Sequence, residues 1–206
     1  KRMTLNSIYS LTVALPKDSL SLLLPDNFIC GFVHNHPALR LLTCQTRKYS
    51  DEPARNDEVE VWTILSSGRF AKRHKAPQEF LQPDVVQDVS SLLLSALEES
   101  LTGRSTGNLC KAVLDQRLQL WGAALPLNVW NVDGKPADFL YDAHYNVGVC
   151  GDWLVEPSVR GAWTSGRRLA EHLLHDDRPS HGLLHGSFHT SRTGDIGASA
   201  EKSHAS

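Results

Sequence analysis

The first third of the chain alternates apolar and polar residues with a period of two, which is typical of half-buried β-strands. The alternation is clearest over 9–15, YSLTVAL. Three further runs, 28–33, 39–45 and 59–65, are separated by polar turns such as SDEPARND at 50–57. Because strands joined by such turns usually pair antiparallel, these runs predict an antiparallel sheet of four or five strands.

The clearest helical pattern covers residues 83–101, where apolar residues recur at helical spacing along one stripe. Pro83 suits the first position of a helix, and Gly103 suits the cap after its end. We expect this helix to pack on the sheet. Residues 112–124 then predict a long strand that leads into Pro126.

A short basic segment lies between the sheet and this helix. Ser67 suits the N-cap of a helix that runs through His74. The segment carries five basic side chains: Arg69, Lys72, Arg73, His74 and Lys75. Two interpretations are open, a solvated helix face or a contact with an anion such as a cofactor phosphate.

The carboxy-terminal pattern is a hairpin, an acidic turn and a helix. Residues 139–141 predict a strand that hairpins into the run 147–150, whose β-branched residues are typical of a short strand covered on both faces. Gly151 and Asp152 end that strand, and Ser158 suits the N-cap of the following helix. The apolar positions of the helix form one stripe: Val159, Ala162, Trp163, Gly166, Leu169, Ala170, Leu173 and Leu174.

Composition limits the classes of partner. The chain has 206 residues, 41% hydrophobic, enough for one large domain or two small ones. A net charge of −2 gives no reason to expect nucleic acid or an anionic membrane, and no apolar run approaches the roughly 20 residues that span a bilayer. Four cysteines without a CxxC pair are expected to be reduced, buried thiols of an intracellular, cytoplasmic protein. The Ser-, Gly- and His-rich stretch 176–206 predicts a disordered tail.

The acidic turn and the helix after it have a chemistry of their own. A helix N-terminus has unpaired N–H groups and about half a positive charge, so it favours an anion or an electron-rich carbonyl. Asp152, when ionised, only accepts hydrogen bonds. The pair suits a ligand with hydroxyl donors and a negative group nearby, and an ordinary strand-turn-helix with a surface Asp is the alternative. Gly161 and Gly166 weaken the helix and therefore indicate close approach of a backbone or of a flat ligand.

CGDW at 150–153 and PSVRGAWTSGRRLA at 157–170 resemble the carboxy-terminal flavin-binding signature of the FAD-dependent amine oxidase superfamily, closest to its renalase-like branch. RLQLWGAALP at 117–126 is similar to the same branch. The likeness is strongest over 115–174. It implies an FAD-dependent oxidoreductase that moves a hydride from an amine or a dihydronicotinamide to flavin, with O₂ as the expected acceptor.

The resemblance also implies a division of the chain. An α/β (α+β) fold is expected, with residues 1–126 as an antiparallel substrate-binding domain and 127–175 as the carboxy-terminal part of a Rossmann-like FAD-binding domain. The implied cofactor-binding residues are Gly151, Asp152, Ser158, Val159, Gly161 and Ala162. Trp121 is implied to wall the substrate cavity, as the candidate residue of the catalytic site, and Arg117 to face the same space. A core tryptophan is the alternative.

One departure from that superfamily concerns the phosphate-binding loop. No three glycines have the spacing Gly-x-Gly-x-x-Gly, and the chain begins at Lys1. We therefore expect the carboxy-terminal part of a longer flavoprotein, with any targeting peptide upstream of Lys1. Alone, the strand and the helix of the flavin region would then leave an apolar patch exposed. The alternative is a non-catalytic fragment or interaction module that does not hold FAD by itself. The oligomeric state is not indicated.

Other candidate sites are weaker. His181, His185 and His189 are spaced by four, but glycines interrupt the segment; His34 and His36 flank a turn with no Cys or carboxylate beside them in the sequence. No metal site is predicted from either set. The sequence has no Gly-x-Ser-x-Gly elbow and no Walker loop, so serine hydrolase and phosphoryl-transfer chemistry are not supported.

Overall fold

The computed structural model describes residues 3–49, 58–132 and 135–175. Contacts divide the chain into two compact units, Leu5–Leu125 and a second unit made of Lys1–Thr4 with Pro126–Ser206. We call the first the sheet unit and the second the hairpin–helix unit. The mixed α/β class expected from the sequence is confirmed.

A five-stranded sheet, ordered β2-β3-β4-β1-β5, forms the centre of the sheet unit. Its strands are β1 (Leu5–Pro16), β2 (Cys30–Phe32), β3 (Leu39–Cys44), β4 (Val59–Ser66) and β5 (Asp115–Pro126). The inner strands β1 and β4 pair antiparallel, from Ser10 opposite Leu65 to Pro16 opposite Val59. The predicted antiparallel sheet is therefore confirmed.

One face of this sheet carries the core. The side chains of Tyr9, Leu11, Val13 and Leu15 are fully buried, and the residues between them are only half-buried, as the alternation predicts. Trp62 of β4 is also fully buried and stacks on Phe28, with ring centroids 6.1 Å apart.

In the described part of this unit, the sheet is accompanied by a 3-10 turn, Ser21–Leu23, and by the α-helices α1 (Gln45–Lys48), α2 (Gly68–Arg73), α3 (Pro83–Thr102) and α4 (Asn108–Ala112). The long helix α3 contributes Val89, Leu93, Leu94 and Leu97 to the core, so the predicted packing is confirmed. Gly103 closes α3 in the left-handed conformation, with φ of 79°, which a glycine adopts without strain.

The strand predicted over 112–124 is wrong at its beginning. Residues 108–112 form α4, and β5 begins only at Asp115. The reason is a tertiary contact, because the buried carboxylate of Glu98 accepts hydrogen bonds from the amides of Thr106, Gly107 and Asn108. These bonds order the turn that starts α4, and no local periodicity indicates them.

The described part of the hairpin–helix unit contains two short antiparallel hairpins and two helices. They are β6 (Asn131–Val132) with β7 (Lys135–Pro136), β8 (Leu140–Asp142) with β9 (Val147–Val149), α5 (Asp152–Val155) and α6 (Val159–His175). Phe139, Tyr141 and Leu169 form a small buried cluster. The strands of these hairpins pair antiparallel, so the Rossmann-like part of the fold stays a prediction.

Two expectations about burial are wrong. The strand over 147–150 is not covered on both faces, since the side chains of Val147 and Val149 are 54% and 43% exposed. Of the cysteines, all free, Cys44 is buried but Cys30 and Cys150 are exposed. The stripe of α6 is largely exposed; of its residues Leu169 is buried, on the same side of the helix as Gly161 and Ser165.

The described residues contain no helix both long and apolar enough to cross a membrane. The predicted tail over 176–206, with His181, His185 and His189, lies outside the described residues.

Candidate functional site

Six of the seven predicted site residues lie in one segment of the hairpin–helix unit, 151–162. Strand β9 ends at Val149, Gly151 leads into α5, and three residues, 156–158, separate the end of α5 from the start of α6. The two helices pack against each other. The short connection therefore brings the carboxylate-bearing turn and the start of a 17-residue helix into one small region.

The first turn of α6 is capped as expected. The hydroxyl of Ser158 accepts a hydrogen bond from the amide of Gly161 at 3.0 Å, and the carbonyl of Ser158 accepts one from the amide of Ala162 at 3.0 Å. Among the described residues, the amides of Val159 and Arg160 meet no protein acceptor. Because the side chain of Val159 is 89% exposed, this positive end of the helix faces open space.

Gly161 is required by the chain itself. A Cβ atom at this position would lie 1.9 Å from the carbonyl oxygen of Glu156, and that same oxygen accepts a hydrogen bond from the amide of Ser158 at 2.7 Å. Of the two reasons expected for this glycine, the structure supports close approach of a backbone. At Gly166 a Cβ atom would only touch the sulfur of Cys150, at 3.9 Å.

Asp152 is the first residue of α5 and is half-buried. Within the described part of the chain its carboxylate takes part in no hydrogen bond or ion pair, which leaves it able to accept from a ligand. The amide of Gly151, in contrast, donates to the hydroxyl of Ser165 at 3.0 Å. The carboxylate of Asp152 is thus available to accept hydrogen bonds from a ligand, whereas the amide of Gly151 is not available to donate one.

Trp121 lies on β5 in the sheet unit. Its side chain is 48% exposed, while the neighbouring Leu120 is buried, so the alternative of a core tryptophan is wrong. Arg117, on the same side of the strand by alternation, is exposed as well.

A buried polar cluster on α6 was not predicted. The fully buried hydroxyl of Ser165 donates to the carbonyl of Asp138, and Arg168 forms an ion pair with the carboxylate of Asp138. The ring of His172 packs between Phe139 and Tyr141, at centroid distances of 5.1 and 5.0 Å. The only sequence signal is the spacing of Ser165, Arg168 and His172, which is also typical of a solvent-facing helix surface.

No His, Cys, Asp and Glu cluster suited to a metal ion occurs among residues 3–49, 58–132 and 135–175. Comparison with models of known protein families and with curated proteins gave no match. The functional interpretation therefore depends on the residues and their geometry.

Proposed function

We propose that residues 151–162 form part of a flavin site and that the chain acts within an FAD-dependent oxidoreductase of the amine oxidase type, similar to its renalase-like branch. The substrate class is an amine or a dihydronicotinamide such as NAD(P)H, and O₂ is the acceptor. The observation that carries the proposal is the open N-terminus of α6 together with the carboxylate of Asp152, which has no partner among the described residues.

The chemistry of these groups fits a flavin. FAD, when bound, supplies the hydride-accepting group. The free amides of Val159 and Arg160, with the helix dipole, would stabilise negative charge on the pyrimidine edge of the ring. The carboxylate of Asp152 would accept hydrogen bonds from ribityl hydroxyls. The role expected of Trp121, which belongs to the sheet unit, stays a prediction.

The glycines of the segment take a smaller part than the resemblance implies. The space beside Gly161 is filled by the carbonyl of Glu156, so Gly161 would allow the tight turn rather than contact the flavin ring. Apolar surface for the ring would come from Val159 and Trp163, whose side chains are 89% and 64% exposed. Ser158 would act by capping the helix, and Ala162 by its place in the first turn.

The second candidate is an interaction module without catalytic activity. It is favoured by the number of apolar side chains that the hairpin–helix unit exposes. They are Leu127, Tyr145, Val147, Val149, Val159, Trp163, Leu173 and Leu174. A macromolecular partner would bury this surface, and the unit would then need no flavin.

A titration with two flavins separates the candidates. Riboflavin carries the ring and the ribityl hydroxyls, and lumiflavin carries the ring alone; binding of each is followed by fluorescence anisotropy. Asp152→Ala removes one charge-assisted acceptor, so it should weaken riboflavin binding roughly ten- to hundredfold. The same variant should leave lumiflavin binding unchanged, because lumiflavin has no ribityl hydroxyl to lose.

The matched control is Glu171→Ala. It removes a carboxylate of the same unit that lies about three turns after the start of α6. This carboxylate is 54% accessible and pairs with Arg167. This variant should bind both flavins like the parent chain. If the parent chain binds neither flavin, or if both variants weaken riboflavin equally, the flavin proposal is wrong and the interaction module is favoured.

A further inference from the structure

We propose that the sheet unit carries a separate binding site, between α2 and α3, for a small organic anion with an apolar body. The inference does not rest on the flavin proposal, because every residue that lines this site belongs to Leu5–Leu125. The site is a cavity of about 350 Å³. That volume lies within the range of roughly 300–1,000 Å³ typical of ligand pockets.

The floor of the cavity is apolar. Phe70 of α2 and Ala96 of α3 are buried, and Leu92, one helical turn before Ala96, forms a half-exposed side wall. The ring of Phe70 is held by two aromatic neighbours, His74 at a centroid distance of 4.4 Å and Tyr9 at 6.4 Å. A planar or aliphatic ligand body can therefore pack there without first ordering the side chains beneath it.

Helix α2, which forms one wall, is fixed at both ends. At its start the hydroxyl of Ser67 accepts from the amide of Phe70 at 3.1 Å and donates to the carbonyl of Pro37 at 2.7 Å. At its end the hydroxyl of Tyr9 donates to the carbonyl of His74 at 2.6 Å. A wall that is already ordered costs little entropy when a ligand binds, which favours affinity.

The charge of the cavity comes from two arginines. Arg69 and Arg73 lie four residues apart on α2, so their side chains emerge on the same face of the helix. Within the part of the chain that the structure describes, neither guanidinium has a hydrogen bond or an ion pair. Two unpaired guanidinium groups beside an apolar floor are the arrangement that takes a carboxylate or a phosphate monoester.

Among the described residues that line the cavity, Glu99 carries the one carboxylate, and it lies beside His36. The amide of Ala38 donates to Nδ1 of His36 at 3.2 Å, and Nε2 of the same ring faces Glu99 at 3.5 Å. Glu99 therefore contacts His36 and not the arginines. The wall keeps a net positive charge, and an anionic head group meets Arg69 and Arg73 without competition from within the cavity.

The test is an NMR titration of the full chain with four probes: phenyl phosphate, benzoate, inorganic phosphate and benzyl alcohol. Both organic anions should shift the amide signals of α2 and of residues 92–99 of α3. Binding should be about tenfold tighter than that of inorganic phosphate, which has no apolar body, or of benzyl alcohol, which has no charge. The stronger of the two anions identifies the head group as phosphate or carboxylate.

Variants connect the binding to the named residues. Arg69→Gln combined with Arg73→Gln should weaken the organic anions tenfold or more, and since both side chains are exposed, the fold should be retained, which the same spectra check. Lys72→Gln is the matched control, because Lys72 is an exposed cation of the same helix that does not line the cavity. Leu92→Ala should weaken phenyl phosphate but not inorganic phosphate.

Three results would overturn the proposal. The first is the absence of α2 and α3 shifts with either organic anion. The second is equal loss of affinity in the Lys72 variant and in the double arginine variant, which indicates nonspecific attraction. The third is a control probe that binds as tightly as phenyl phosphate. Equal binding of inorganic phosphate would mean that the apolar floor does not contribute, and equal binding of benzyl alcohol would mean that the charge does not contribute.

Discussion

The two units of this chain bury their apolar residues to very different extents. In the sheet unit, alternate residues of β1 and β4 and one face of α3 belong to a single large core. In the hairpin–helix unit, the buried cluster consists of Phe139, Tyr141 and Leu169, while the other large side chains of the stripe that the sequence places on α6 are exposed. Both regions have clear apolar periodicity, but among the residues that the structure describes, the elements that cover the apolar faces of their own unit are those of the sheet unit.

This difference shows that an apolar stripe on a helix does not always mark the face that packs within its own unit. On α3 the stripe identifies the contact face, because a sheet in the same unit packs against it. On α6 the inward face carries Gly161, Ser165 and Leu169, and the contact depends on small size and hydrogen bonding as much as on hydrophobicity. An exposed stripe beside an open helix N-terminus is then available for a ligand or a macromolecule.

The largest expected effect is on the free energy of unfolding, when one leucine from each core is replaced by alanine. Leu93→Ala removes a fully buried side chain of α3 and should reduce the free energy of unfolding by about 2–5 kcal/mol. Leu169→Ala should cost about 2 kcal/mol or less, since a small cluster at a surface relaxes more easily. Hydrogen exchange resolved by residue measures both units separately. Equal costs would mean that the two cores are equally well packed.

The next effect concerns Glu98, which is 5% exposed. Burial alone would raise the pKa of this carboxyl, but hydrogen bonds from the Thr106 hydroxyl and from the amides of Gly107, Thr106 and Asn108 outweigh it and hold the pKa below its ordinary value of 4.5. Glu98→Gln should reduce the free energy of unfolding by about 1–3 kcal/mol at neutral pH. The control Glu99→Gln, at a 57% exposed side chain, should change it by less than about 0.5 kcal/mol.

The same carboxyl sets a pH dependence with a definite sign. Because its pKa is lower in the folded state, the stabilisation is complete above pH 4.5 and is lost as the pH falls through the folded-state pKa. The difference in unfolding free energy between the parent chain and Glu98→Gln should therefore shrink in acid. Urea titrations at a series of pH values measure it, and a difference that stays constant below pH 4.5 would contradict this account.

The last comparison is between two glycines of α6, and its smaller member, Gly166, has the smallest expected effect. Gly161→Ala should destabilise the start of the helix by about 1–3 kcal/mol, because its Cβ atom would overlap the Glu156 carbonyl. Gly166→Ala meets only an ordinary contact and should stabilise the helix by up to about 1 kcal/mol. Exchange rates of the α6 amides report both changes. Stabilisation by both substitutions would show that the 156–161 turn is looser than described.

Local signals predicted most of the sheet unit. Pro83 and Gly103 define both ends of α3, and Ser67 caps α2, because each of these residues acts through its own backbone geometry or its nearest neighbours. The beginning of α4 was missed because it depends on Glu98, a side chain that reaches back from the preceding helix. Contacts of that kind leave no periodic pattern.

The candidate sites were predicted less completely. The sequence indicated the Ser158 cap and the acidic turn at Asp152, and both are found, but it did not indicate that Glu156 fills the space beside Gly161. It also found no carboxylate for His36, whose neighbour Glu99 comes from a distant helix. Periodicity predicts which residues share a face, and only the tertiary structure determines what that face meets.

The strand order has a consequence for how the chain folds. Strand β1 lies between β4 and β5, and both of these follow it in the chain, the second only after α3 and α4. During synthesis its apolar residues Tyr9, Leu11, Val13 and Leu15 emerge before any strand that can flank them. Such long-range pairing slows folding and exposes apolar segments to aggregation in the meantime. Nascent chains that end before β5 should therefore depend on chaperones more than the finished protein does.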